Sequence, residues 1–350
     1  MNNAQTISKK RINLWDNIKF LLITLVVVGH FVDGLANNYN SFKSIFIFIY
    51  AFHMPLFIFI SGLFYKPKNI KNKFLMYTLI GFALKITIFI INYILGKNPS
   101  FSLLSDNGIP WFMFSLAIFT LISYILRDQN KKLILIFSVL IACFTGYDKE
   151  IGDFLYLSRS IIFFPFFWLG TMIKGEEIIK VKEKYNKKLF IIGLFIILIW
   201  GTLCLTNLDT FYTLRHLFTG KNYFSKTVYA FGPLARLFCY VLAIILSMAI
   251  IAITPNKKLH KITEWGSKTL QIFYWHYPVI YVLFAIFNFR VFCSSISGKI
   301  VFLELAVLTT IILSHKIFSF PTKQIIKYTK KWATFTKISL FLLTFSTSIK

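Results

Sequence analysis

The sequence predicts an all-α polytopic integral membrane protein, about ten helices crossing the bilayer with both termini cytoplasmic. Composition is the first sign. Of 350 residues, 57% are hydrophobic and 15% are charged, where a soluble domain carries roughly 25% charged residues. Phenylalanine alone supplies 41 residues, more apolar side chain than a water-soluble core needs. The second sign is that apolar stretches long enough to cross a bilayer recur along the whole chain. The third is that lysine and arginine concentrate on alternate connections between them.

Taken in order, the stretches cover residues 17–35, 43–65, 74–95, 111–127, 132–147, 158–173, 188–206, 232–254, 269–288 and 299–318. The fourth to sixth are short. The first is too long for the apolar core of a cleaved signal peptide, and no small-x-small site follows before the second stretch. With the N-terminus inside, the inner segments hold 27 Lys and Arg and the outer ones 8. That asymmetry obeys the positive-inside rule and favours an even number of crossings. The net charge of +26 is therefore a topology signal and a contact for anionic membrane lipids, as in the run from Lys66 and Lys68 to Lys71 and Lys73. It is not the footprint of a nucleic-acid binder. The four cysteines, Cys143, Cys204, Cys239 and Cys293, have no metal-ligand spacing, so no metal is expected.

One membrane domain, residues 17–319, accounts for most of the chain. A short cytoplasmic segment, 1–16, precedes it. A basic tail, 320–350, follows, and its apolar part, Ile338–Phe345, is short enough to lie on the membrane surface rather than cross it. No internal repeat is visible. The outer segment 207–231 carries Tyr212, Arg215, His216, Tyr223, Phe224 and Tyr229, a set that suits either a sugar or lipid headgroup or an interfacial aromatic belt. Richness in Ile, Lys, Asn and Phe is that of an AT-rich bacterial genome, and the expected location is the plasma or inner membrane.

The polar residues within the apolar stretches are the candidates for function, because an ionisable side chain in lipid is costly unless it has a partner or a task. At about 1.5 Å rise per residue, His30 lies roughly 20 Å from the inner surface, His53 about 18 Å, Lys85 about 17 Å, and Arg159 and Glu304 about 21 Å. Five such groups in one slab point to a shared polar cavity inside the bundle. Each also has a structural alternative. His30, His53 and His276 can hydrogen-bond neighbouring helices. Lys85 can snorkel or pair with Glu304, and Arg159 can reach lipid phosphates at the outer interface. Asp33 shares a helix face with His30, three residues away, and either orients the imidazole or ends the helix. Trp111 either stacks on a sugar or anchors the outer interface. Arg236, near the outer end of the eighth stretch, is a further candidate for the acceptor side.

Four segments carry a resemblance to a known family. They are Asp16-Asn-Ile-Lys19 with His30 eleven residues after Lys19; Phe52-His-Met-Pro-Leu-Phe-Ile-Phe-Ile-Ser-Gly62; Pro110-Trp-Phe-Met-Phe with Arg159 and Phe164-Pro-Phe-Phe-Trp-Leu-Gly170; and Gly266-Ser-Lys-Thr-Leu-Gln-Ile-Phe-Tyr-Trp-His276. In these the chain resembles the membrane-bound acyltransferase-3 family, in the branch related to fucose 4-O-acetylase. The broader family commonly has arginine where this chain has Lys19, so the charge is kept and a bidentate grip on phosphate is not. The resemblance implies transfer of an acyl group, usually acetyl, from cytoplasmic acetyl-CoA to a sugar hydroxyl on the far side of the membrane. The acceptor would be a cell-surface or lipid-linked glycan, a glycolipid or polysaccharide.

On this reading His30, His53 and Arg159 are the catalytic candidates. Lys19, Asp16, Lys66 and Lys68 are expected to hold the acyl-CoA, and Trp111, Lys85, Glu304 and Arg236 the acceptor. His30 acts as general base on the hydroxyl or takes the acyl group itself, with Arg159 or His53 as donor to the oxyanion. The competing reading is a secondary transporter or flippase for a glycolipid or small anion, which intramembrane His, Lys, Arg and Glu suit equally well.

Overall fold

The computed structural model describes residues 12–105, 108–221 and 223–331. Among these the chain is helical, with one isolated antiparallel bridge between Ser105 and Phe154. In chain order the helices are α1 (Asn13–Asp33), α2 (Asn40–Tyr50), α3 (His53–Leu63), α4 (Ile70–Ile94), α5 (Trp111–Ile125), α6 (Lys131–Phe144), α7 (Leu157–Met172) and α8 (Gly175–Lys184). They continue with α9 (Asn186–Thr206), α10 (Leu208–Thr213), α11 (Arg215–Thr219), α12 (Gly232–Ile253), α13 (His260–Trp265), α14 (Thr269–Ile286), α15 (Phe289–Phe292) and α16 (Ile296–Leu313). Residues 322–331 of the tail are also helical; its apolar stretch Ile338–Phe345 and residues 1–11 lie outside the described residues.

Among the described residues seven segments are long and apolar enough to cross a membrane: α1, α2 with α3, α4, α9, α12, α14 and α16. Two shorter apolar helices, α5 and α7, accompany them. The span windows of α1 and α2–α3 are 61% and 72% buried inside the protein, against 22% for α4 and 17% for α9. The first two therefore form the centre of the bundle. The others are apolar on all sides because their outer faces meet lipid rather than water.

The second stretch is not one continuous helix. Pro55 has no N–H to give Ala51, and the backbone breaks at Ala51–Phe52 between α2 and α3. The Ile49 carbonyl accepts the Phe52 N–H at 3.3 Å and the His53 Nδ1 at 2.9 Å. An imidazole thus closes the break and is fixed where two half-helices meet.

Two glycines let α3 lie directly on α7. A Cβ on Gly62 would sit 2.0 Å from the Phe167 carbonyl oxygen, and one on Gly170 would sit 2.2 Å from that of Phe59. Small residues facing each other are how membrane helices approach closely without a hydrophobic driving force. At the other end of the same packed pair stand His53 on α3 and Arg159 on α7.

Connections expected on one side meet on one side. The Asn17 side chain donates to the carbonyls of Pro255 and Lys257 and accepts from the Thr263 hydroxyl, joining the start of α1 to the α12–α14 connection. At the opposite end the Tyr39 hydroxyl donates to the Arg290 carbonyl, joining the α1–α2 and α14–α16 connections. There too, α10 and α11 fold the 207–231 segment over α2 and against α12.

Candidate active site

A cavity of about 430 Å³ opens at the end of the bundle where α1 terminates. His30 from α1, His53 from α3, Trp111 from α5 and Arg159 from α7 all line it. Four of the residues singled out from the sequence are thus brought together from four helices. Tyr50, Asp33 and Tyr277 also line it, as do Arg215, His216 and Lys221 from the 207–231 segment.

His30 is half-buried and set among rings. The Tyr50 hydroxyl lies 3.5 Å from its Nδ1, and the Tyr277 ring stands edge-on at 5.1 Å. The ring of His276 is 5.3 Å away. His276 itself is fully buried. Its Nδ1 donates to the carbonyls of Phe273 at 2.7 Å and Ile272 at 3.2 Å, so the proton is on Nδ1 and Nε2 is an acceptor. That Nε2 has no hydrogen-bond partner among the described residues.

The same reasoning revises the role expected of His53. Its Nδ1 bonds a backbone carbonyl, which only accepts, so Nδ1 carries the proton. In the neutral ring Nε2 is then an acceptor and has no proton to give an oxyanion. Arg159, whose guanidinium nitrogens can only donate, lines the same cavity. Its guanidinium lies 4.9 Å above the Trp111 ring, and its Nε and Nη1 reach the carbonyls of Thr219 at 3.3 Å and Gly108 at 3.5 Å. Trp111 in turn stacks on Phe163 with centroids 5.4 Å apart. The indole therefore holds the guanidinium and forms cavity wall, rather than anchoring the interface.

Three predicted members stand elsewhere. Lys85 donates to the carbonyls of Ser102, Leu103 and Ser105 at 2.7, 3.2 and 2.7 Å and to the Tyr156 hydroxyl at 2.6 Å. It ties the loop after α4 to α7 and does not meet Glu304. Glu304 is exposed on α16, outside the cavity. Arg236 is fully buried on α12, where Nη1 donates to the Leu217 carbonyl at 2.9 Å and the guanidinium lies 5.8 Å over Phe224. It ties the 207–231 segment to α12. The shared slab read from depth therefore divides, because depth fixes height along a helix and not the face on which a side chain emerges.

Asp33 is the last residue of α1, exposed at the cavity mouth, with no hydrogen bond to His30. It ends the helix rather than orienting the ring. Tyr50, Tyr277 and Lys221 were not anticipated. Tyr50 lies three residues before His53 and Tyr277 directly after His276, so both sit beside residues already singled out. Lys221 has no such signal. In α11, burial and then the charges of Arg215 and Lys221 hold His216 below the usual histidine range.

At the other end, Lys19 forms an ion pair with the buried Asp16 at 2.8 Å. A Cβ on Gly266 would lie 1.9 Å from the Asp16 carbonyl oxygen, so the turn before α14 packs directly on this point of α1. Lys66 and Lys68 are exposed in the turn after α3.

No curated protein and no solved structure matches the chain. A family model, described as an acyltransferase domain, matches residues 12–320. That span covers every helix from α1 to α16, including all four that meet at His30, and the chain belongs to the acyltransferase-3 family.

Proposed function

We propose that the protein transfers an acetyl group from cytoplasmic acetyl-CoA to a hydroxyl of a cell-surface or lipid-linked sugar, as in the fucose 4-O-acetylase branch, with His30 as the general base. One observation carries this reading: His30, His53, Trp111 and Arg159 come from four helices to wall a single cavity. In this account both termini are cytoplasmic and the cavity faces outward from the cell membrane.

Lys19 meets the phosphates of the donor at the inner end. Asp16 orients Lys19 rather than touching phosphate itself, since a carboxylate repels it. Lys66 and Lys68 add to the local positive field. His30 stands eleven residues above Lys19, about 16 Å along the helix, a distance for the uncharged pantetheine arm to span. The sugar hydroxyl gives its proton to the imidazole as its oxygen attacks the thioester carbonyl. Tyr50 engages Nδ1 and leaves Nε2 for this step. Negative charge develops on the carbonyl oxygen and is met by Arg159. The C–S bond then breaks, and the CoA thiolate takes the proton from His30, so the products are the sugar ester and CoA thiol.

The test is to give membranes containing the protein acetyl-CoA labelled in the acetyl carbon. Label in the glycan without net movement of the acceptor supports the enzyme. Proton-coupled movement of a glycolipid or anion with no label transferred supports a transporter instead.

A further inference from the structure

The His30 cavity does not end where the proposed chemistry needs it to. It adjoins, across the side chain of His216, a second cavity of about 660 Å³ lined by Tyr147, Lys149, Tyr223, Lys226 and Tyr229. Each is the size of a site for a drug-sized ligand, so the pair exceeds what one sugar ring fills. The wall of the second cavity is aromatic and wet. Tyr223 and Tyr229 are each 51% exposed, Tyr147 stands edge-on to Tyr229 at 5.0 Å, and the Lys149 ammonium lies 5.8 Å over the Tyr223 ring. Flat rings with a polar edge are surfaces on which a sugar face packs while its hydroxyls stay hydrated.

Charge says what kind of sugar. The segments placed outside by the charge pattern contain only eight Lys and Arg. Four of them, Lys149, Arg215, Lys221 and Lys226, line these two cavities. Lys221 is balanced by Asp153 at 3.7 Å. Lys149, Arg215 and Lys226 have no carboxylate within ion-pair distance among the described residues. The only carboxylate lining either cavity there is Asp33. Cations that the positive-inside rule disfavours on this side have been gathered where an acceptor would enter, and together they attract anions.

We propose that the acceptor is an acidic oligosaccharide, with the reacting sugar at His30 and the neighbouring sugars in the Tyr147–Tyr229 cavity. This rests on the proposed acetyl transfer only for the identity of the reacting sugar; the binding itself stands independently. The negative charge is on the glycan, as carboxylate or phosphate ester, and not on a membrane lipid headgroup.

The experiment uses the full-length protein in nanodiscs of phosphatidylcholine, without acyl donor. Binding of fluorescent hexagalacturonate, galacturonate and the neutral maltohexaose is followed by anisotropy. Hexagalacturonate binds at least tenfold more tightly than either of the others. The double variant Lys149→Gln, Lys226→Gln loses tenfold or more in affinity for the hexamer, and the loss is confined to chains longer than one sugar. Arg215→Gln weakens hexamer and monomer alike. Equal binding of maltohexaose and hexagalacturonate overturns the proposal, as does a double variant indistinguishable from the wild type. So does abolition of binding when phosphatidylglycerol is added to the nanodisc, which would give the cations to lipid headgroups. A protein that shows the binding preference but transfers no acetyl group refutes the proposed activity and leaves this site standing.

Discussion

Substituting Gly62 by alanine tests whether the α3–α7 contact sets the geometry of the site. The new Cβ would lie 2.0 Å from the Phe167 carbonyl oxygen and 2.9 Å from its carbon, both backbone atoms that no rotamer change can move. Cβ contacts closer than 3.0 Å essentially do not occur, so the helices must separate by about 1 Å. Overpacking of this kind costs about 1–3 kcal/mol, or roughly 2–6 °C in thermal midpoint for a chain of this size. The functional cost is separate. α7 carries Arg159, which meets the oxyanion in the proposed mechanism, and α3 carries His53 in the same cavity wall; a displacement of about 1 Å at a group that acts in the transition state reduces rate by up to about 100-fold. All four cysteines are free and buried, so a thiol-reactive dye reports unfolding during a thermal ramp, while labelled acetyl-CoA gives kcat on the same preparation. Gly201→Ala in α9 is the control. Its Cβ would meet nothing nearer than 3.8 Å, and the helix propensity gained is about 0.8–1 kcal/mol. If Gly62→Ala matches Gly201→Ala in midpoint and kcat, the close contact does not position the site.

Three further outcomes follow from the same geometry. Lys85→Met removes an ammonium that bonds three carbonyls and the Tyr156 hydroxyl. It is expected to cost about 2–4 kcal/mol of stability, read as a lower dye midpoint and faster proteolysis within residues 97–105, with KM for acetyl-CoA unmoved. Lys19→Ala raises KM for acetyl-CoA more than it lowers kcat, and an unchanged donor dependence would remove Lys19 from the donor site. Tyr50→Phe deletes the hydroxyl facing His30 Nδ1 and lowers kcat roughly 3–10-fold with the midpoint held; an unaltered kcat would leave the hydroxyl without a role in orienting the ring.

Most of the helical plan is legible in the sequence because lipid imposes one rule on every span, which is apolar residues at bilayer length. Each of the ten apolar stretches has a helix on it, but among the described residues seven segments, not ten, are long and apolar enough to cross a membrane, because α5, α6 and α7 fall short of bilayer length. The break before His53 was less legible. Pro55 near a helix start is unremarkable by itself, and only the structure reveals the imidazole taking up the Ile49 carbonyl. The site was legible in part. His30, His53 and Arg159, which wall one cavity with Trp111, stand out because an ionisable group in an apolar run is costly to leave unexplained, and Trp111 because it opens its stretch from the end at which the others lie. Lys85, Glu304 and Arg236 were grouped with them on depth and type alone. Which face a residue occupies depends on helix rotation, and hydrophobic periodicity fades where both faces are apolar. The 207–231 segment was ambiguous for a different reason. Its aromatics and cations fit a lipid belt as well as a glycan, and nothing in their spacing shows that Arg215 and His216 line the His30 cavity.

The central claim is that an imidazole within the bundle takes the acceptor's proton. The most direct measurement is acetyl transfer by His30→Ala, assayed by mass spectrometry of the glycan after feeding 13C-labelled acetyl-CoA, in protein matched to wild type for membrane level and dye midpoint. General-base catalysis contributes about 10²–10⁴-fold, so the variant is expected to lose at least 100-fold in transfer with the protein intact in the membrane. Transfer at the wild-type rate by a folded His30→Ala protein would contradict the account.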